Sequence, residues 1–117
     1  MNVPALLTAL HQAARDRAYF TQLVITDQSQ SMLKARLYLS SNLFVQVYRN
    51  DRFDTTNLVL VHNDRRVFGR DQLSGQWHRH PANDPASHDF SAEGRRSVIL
   101  AEFLDEAEAV LASLDLP

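Results

Sequence analysis

Cysteine is absent from the 117 residues, which excludes disulfide staples, thiolate metal sites, iron–sulfur clusters and a thiol nucleophile. Glycine and proline are scarce, at 3 and 4, and no P-loop, GxGxxG or EF-hand spacing occurs. Lysine is nearly missing as well: Lys34 is the one lysine among 12 basic residues. No apolar run approaches the roughly 18 residues that crossing a bilayer requires. The N-terminus lacks a basic segment followed by an apolar stretch, so nothing there resembles a signal peptide. These absences predict a cytoplasmic protein with no membrane partner. No Ser/His/Asp framework is visible, and no basic recognition helix that would point to DNA.

What is present is ordinary for a soluble domain, with 44% hydrophobic and 22% charged residues. The length predicts a single domain, 1–117, able to build one core without staples. The net charge of −2 is unevenly spread. Residues 97–117 carry five acids and no Lys or Arg, while residues 1–96 sum to +3. Arginine suits planar, bidentate contact with phosphate or carboxylate, although codon bias in a GC-rich genome produces the same excess.

Hydrophobic periodicity predicts an α+β fold. Asn2 can cap a first helix, Pro4 fits its first turn, and Val3, Leu7, Leu10 and Ala14 recur at helical spacing. From Tyr19 the period becomes two. Tyr19 to Thr26 reads as a strand, followed by a turn over 27–30. Leu33, Ala35, Leu37 and Leu39 then alternate with Met32, Lys34, Arg36 and Tyr38. A third strand sets Leu43, Val45 and Val47 against Phe44, Gln46 and Tyr48, a fourth runs from Thr55 to His62, and a fifth begins at Arg66. The expectation is an antiparallel sheet of about five strands flanked by an N-terminal and a C-terminal helix packed on one face. Ile99, Leu100, Phe103, Leu104, Ala107, Val110, Leu111 and Leu114 define the last helix, with Ser97 as its N-cap and Ser91 as the alternative. Lys34, Arg36, Tyr38, Phe44, Gln46 and Tyr48 would share the open face. Cationic and aromatic residues interleaved there suit a nucleic-acid platform, a dimer interface or simply the wet side of a sheet.

Function rests on one segment, 69–90, most of which falls in the stretch from Asp71 to Gly94 that the pattern leaves as a long loop with a short extended piece at 76–80. Three of the five histidines lie in it: His78, His80 and His88. In an extended chain His78 and His80 share one side, with Trp77 and Arg79 on the other. The first reading is metal binding: His78, His80 and His88, or carboxylates from Asp71, Asp84 or Asp89, could hold Zn²⁺, Ni²⁺ or Mn²⁺. The second is metal-free phosphodiester cleavage, one His acting as base on a ribose 2′-hydroxyl and another as acid, with Arg70 or Arg79 stabilising phosphate charge. The third is structural, the rings fixing loop carbonyls. His11 and His62 have no evident partner in sequence.

The run Phe68-Gly69-Arg70-Asp71-Gln72, then Gly75, then His78-Arg79-His80, then a Phe-Leu-Asp helix, resembles the TumE-like family. These are small bacterial and archaeal proteins grouped as toxins of toxin–antitoxin pairs. The family pattern has Tyr-Asp-Asn, a Gly-rich spacer and His-x-His; Asp71, Gly75, His78 and His80 match it. Arg70 stands where an aromatic is usual and Gln72 where Asn is usual, and the likeness covers about 67–104. The resemblance implies a cytoplasmic protein with an antitoxin partner and an RNA target. Taken with the residues, it predicts a site of Asp71, His78 and His80 with Arg70 and Arg79. Two other classes stay open: a non-catalytic homodimeric module joined through the open sheet face, and a metal-dependent hydrolase built on the His-x-His segment.

Overall fold

Apolar residues at every second position give each central strand one face that must leave water. The computed structural model describes residues 1–114, in the order α1 (Val3–Asp16), β1 (Gln22–Gln28), β2 (Met32–Ser40), β3 (Leu43–Asn50), β4 (Thr55–His62), β5 (Arg65–Leu73), β6 (Gln76–His80) and α2 (Leu100–Ser113). The strands pair antiparallel in chain order, β1 to β6. Ala35 lies opposite Val47 and Val47 opposite Leu58; Leu37, Val45 and Leu60 form the adjoining row. These side chains, with Leu33 and Phe68, are buried beneath Leu6 and Leu10 of α1 and Leu100, Phe103 and Leu104 of α2. Both helices therefore cover one face of the sheet, as the periodicity predicts. No helix among the described residues is long and apolar enough to cross a membrane.

Three local expectations shift. The sheet has six strands rather than about five, because Gln76–His80 pairs fully with β5. The long loop expected from Asp71 to Gly94 thus opens with a hairpin, and the irregular stretch begins at Pro81. β1 starts at Gln22, not Tyr19: Phe20 is tucked into the core, and the Thr21 N–H donates to the Tyr38 carbonyl at 2.7 Å. A register shift between Ile25 and Asp27 then carries β1 on to Gln28.

The helix ends follow capping chemistry. Asn2 accepts from the Ala5 N–H at 2.9 Å, with proline in the first turn. At α2 the N-cap position is Ile99, not Ser97 or Ser91, and Glu102 reaches back to accept from the Ile99 N–H at 2.9 Å. The acids of α2 lie against arginines: Arg17 reaches Asp105 and Glu108 at 3.0 Å each, and Arg96 contacts Glu102 and Glu106. Partners from outside the helix offset the unfavourable placing of acids toward its C-terminus.

Phe103 is fully buried and stacks on Phe68, ring centroids 5.6 Å apart. Phe103→Ala should therefore destabilise the fold by about 3–5 kcal/mol. Denaturant unfolding of the two proteins checks this, a reduced midpoint with unchanged slope being the expected result.

Candidate functional site

The β5–β6 hairpin turns on Ser74 and Gly75, both left-handed at φ 50° and 82°, as a two-residue loop requires. Its register pairs Asp71 with His78 and Gly69 with His80. Those four residues face away from the helices. Arg70 pairs with Arg79, one position along, and both project to the helix side. A one-residue offset thus divides the five residues expected to act together. Asp71, His78 and His80 converge; Arg70 and Arg79 do not join them.

Arg70 is fully buried. It grips Glu106 of α2 with two bonds, at 3.0 and 2.6 Å, and donates to the Glu93 carbonyl at 2.6 Å. With a fourth bond to the Glu93 carboxylate, four of its five donors lock α2 and the 90–96 segment to β5. Arg79 is bound to Asp89, with Nε donating at 2.9 Å. Neither guanidinium is left to meet a ligand in the histidine cluster.

The arginine that does reach the cluster is Arg66, which the alternation pattern missed. A β-bulge shifts the β4–β5 register between Leu60 and Val61, so that Val61 lies opposite Arg66. The extra residue reverses the facing of the strand end and swings Arg66 onto the open face. Its Nη1 lies 3.1 Å from Nδ1 and 3.4 Å from Nε2 of His80. Near-equal separations place the guanidinium over the ring face rather than along either nitrogen's in-plane direction.

His88 arrives by a different route. After Pro81 the chain folds back and makes an antiparallel bridge, Arg79 with Asp89, closed by two backbone hydrogen bonds of 3.1 and 2.8 Å. That register brings His88 beside His80 and Phe90 beside His78. Ring centroids are 4.8 and 5.3 Å apart in the two pairs, and Asp89 points to the helix side to meet Arg79. The three imidazoles thus cluster, with ligand-capable atoms all within 4.8 Å. They line an open cavity of about 320 Å³ with Arg66, Asp71 and Phe90. His11 and His62 are not members of this cluster.

No family model, curated protein or solved structure matches the chain. The chemistry of the site is accordingly read from its own atoms.

His78 and His80 are buried, whereas His88 and Arg66 are exposed. His80 Nε2 is 3.1 Å from Asp71 Oδ2 and 3.2 Å from His78 Nε2, and His78 Nε2 is 3.5 Å from the same carboxylate oxygen. The other nitrogen of His80, Nδ1, lies 2.9 Å from the Pro85 carbonyl. That carbonyl only accepts, so Nδ1 carries the proton and the tautomer of His80 is set. Burial pulls the His78 imidazole below its ordinary pKa; Asp71 opposes that shift, and His80, His88 and Arg66 reinforce it. His78 therefore presents a neutral ring at pH 7. Gly69 lies beneath His80: a Cβ there would stand 3.3 Å from the Leu58 carbonyl oxygen and 3.7–3.8 Å from His80 atoms.

Two predictions separate scaffold from site. Arg70→Ala leaves Glu106 and the Glu93 carbonyl without their partner and should cost about 3–5 kcal/mol of stability. Arg66→Ala, at an exposed position, should change stability by only about 0.5 kcal/mol; paired denaturant titrations check both. Asp89 has its pKa held down to about 2 by the Ser91 hydroxyl and N–H and by Arg79. A depressed carboxylate contributes its stability above the ordinary range near pH ~4 and loses it as pH falls toward the folded value. The difference in melting temperature between wild type and Asp89→Asn should be constant above that range and shrink steadily on acidification toward pH 2.

Proposed function

We propose that this chain is a toxin-type protein of a toxin–antitoxin pair that cleaves RNA phosphodiester bonds in the cavity lined by Arg66, Asp71, His78, His80 and His88. The observation that carries this reading is the meeting of three imidazoles and one uncommitted guanidinium in a single open cavity. Asp71, His78 and His80, three of the residues that carry the resemblance to the TumE-like family, lie in this cavity. Phosphate recognition needs a fixed cation, and proton transfer near neutral pH needs an imidazole.

In this reading Arg66 binds the phosphate from the rim, where its guanidinium is exposed yet anchored on His80. His88, the exposed imidazole, accepts the proton of a ribose 2′-hydroxyl. The 2′-oxygen bonds to phosphorus, the bond from phosphorus to the 5′-oxygen breaks, and the proton is returned to that leaving oxygen. The products are a cyclic 2′,3′-phosphate and a 5′-hydroxyl. Asp71, His78 and His80 form the floor beneath the phosphate, and Arg70 and Arg79 serve only the scaffold. An antitoxin that covers the cavity would silence the protein without altering its fold.

Induced expression of wild type should arrest growth and yield RNA fragments, and Arg66→Ala and His88→Ala should both restore growth. Because these two residues are exposed, loss of folding does not confound the result; circular dichroism of the purified variants checks that. Wild type that leaves growth unchanged and RNA intact would remove the reading.

The homodimeric module is a second reading, favoured by the face that the helices leave uncovered. Val24, Tyr38, Val59 and Val61 are only partly buried there. Phe44 is already buried within one chain, with the Arg36 guanidinium 4.4 Å above its ring and Tyr38 at 5.3 Å. Sedimentation at high protein concentration decides this reading: a monomer excludes it.

A further inference from the structure

Asp71 Oδ2, His78 Nε2 and His80 Nε2 converge on one point. Their separations are 3.1, 3.2 and 3.5 Å. Hydrogen bonding does not satisfy this arrangement. The Pro85 carbonyl keeps the His80 proton on Nδ1, so His80 Nε2 is a lone pair. One proton on His78 Nε2 can bridge to His80 or to Asp71. It still leaves the His80 lone pair facing a carboxylate oxygen at 3.1 Å. Asp71 adds an independent sign: its carboxyl is buried, and Oδ1 has no hydrogen-bond partner among the described residues.

A cation at that point takes up the lone pairs of Asp71 Oδ2 and both Nε2 atoms, which hydrogen bonding leaves opposed. Metal–ligand bonds of about 2.0–2.1 Å place neighbouring donors about 2.8–3.0 Å apart in octahedral and about 3.3–3.4 Å apart in tetrahedral geometry. Two of the observed separations, 3.1 and 3.2 Å, fall between these values, and the third, 3.5 Å, lies just above them. Two imidazoles and a carboxylate suit a first-row transition ion better than Ca²⁺ or Mg²⁺, which prefer all-oxygen shells. The donors come from adjacent strands, so their spacing is set by the β5–β6 ladder and not by a mobile loop. The remaining side of the point faces the cavity, toward His88.

We propose that Asp71, His78 and His80 form a three-residue binding face for a divalent first-row transition cation of the Zn²⁺ class, open toward His88 and Arg66. Three protein donors with one free side is the arrangement of a reactive rather than a purely structural metal centre. The cation would occupy the same cavity as the RNA-cleavage reading, yet its binding is measured without RNA.

The test uses the untagged full chain titrated with Zn²⁺ alone and with Co²⁺ alone. The expected result is one equivalent bound per chain by calorimetry, a raised melting temperature, and visible Co²⁺ absorption bands that a surface-bound aquo ion lacks. Asp71→Asn keeps side-chain volume and should fold; its affinity should fall at least as far as the roughly 10–100-fold typical of losing an outer-shell partner. His78→Ala should abolish the Co²⁺ bands, and His62→Ala should leave binding unchanged. If His78→Ala does not fold, Asp71→Asn and the wild-type titration carry the test. Wild type that binds neither ion, or Asp71→Asn that binds as tightly as wild type, would overturn the proposal. Binding without RNA cleavage upholds the cation face and removes the RNA reading; RNA cleavage by a chain that binds no ion does the reverse.

Discussion

Everything at the cavity depends on the two-sidedness of the β5–β6 ladder. Each residue of this hairpin is committed to one face, and its neighbour to the other. On the helix side, Arg70 sits in the core with both carboxylate oxygens of Glu106 against it. On the open side, Asp71 and His78 face each other across the same ladder. The buried ion pair anchors α2 and the 90–96 segment, and the strands that carry it hold the imidazoles. A slip of one residue would exchange the two sets, placing carboxylate and imidazoles beneath the helices and arginines in the cavity. Trp77, buried on the helix side, opposes such a slip.

The electrostatics of the two faces follow from this division. The acids of α2 lie against Arg17 after α1, Arg70 of β5 and Arg96 just before α2, so the negative C-terminal helix is held by cations from three parts of the chain. Those arginines are committed to the scaffold. Arg66 is different: its nearest partner is an imidazole ring, not a carboxylate. The cavity therefore holds one guanidinium beside the imidazoles and one buried carboxylate whose second oxygen lacks a partner among the described residues. Anchoring of the 81–96 segment through Asp89 and Glu93 gives the exposed His88 a defined place. A reactive group on an irregular segment needs such tethers to be held within range of its partners.

The α+β class, the meander and the placement of both helices on one face were legible because period-two and period-3.6 patterns are long and uninterrupted here. Leu33 to Leu39 and Ile99 to Leu111 each carry enough repeats to specify an element. β6 was harder to read, since five residues with four polar side chains carry little periodicity. The pairing of His78 with His80 on one side followed from strand geometry alone. Arg66 did not, because a bulge reverses facing without any sign in composition: Arg65-Arg66-Val67 reads the same with or without the extra residue. His88 was visible as a candidate but not as a neighbour, since its place depends on a chain reversal after Pro81.

Local pattern, then, specifies which faces of helices and strands turn inward, since burial of apolar side chains is a property that each segment carries with it. It also specifies that two imidazoles share a side. Which charged groups accompany them is a matter of register, bulge and loop return, all of which depend on contacts between residues distant in the chain. Eleven arginines look alike along the sequence. Folding separates them by what lies opposite: Glu106 captures Arg70, Asp89 captures Arg79, and Arg66 is left beside the imidazoles with no carboxylate among the described residues in ion-pair contact.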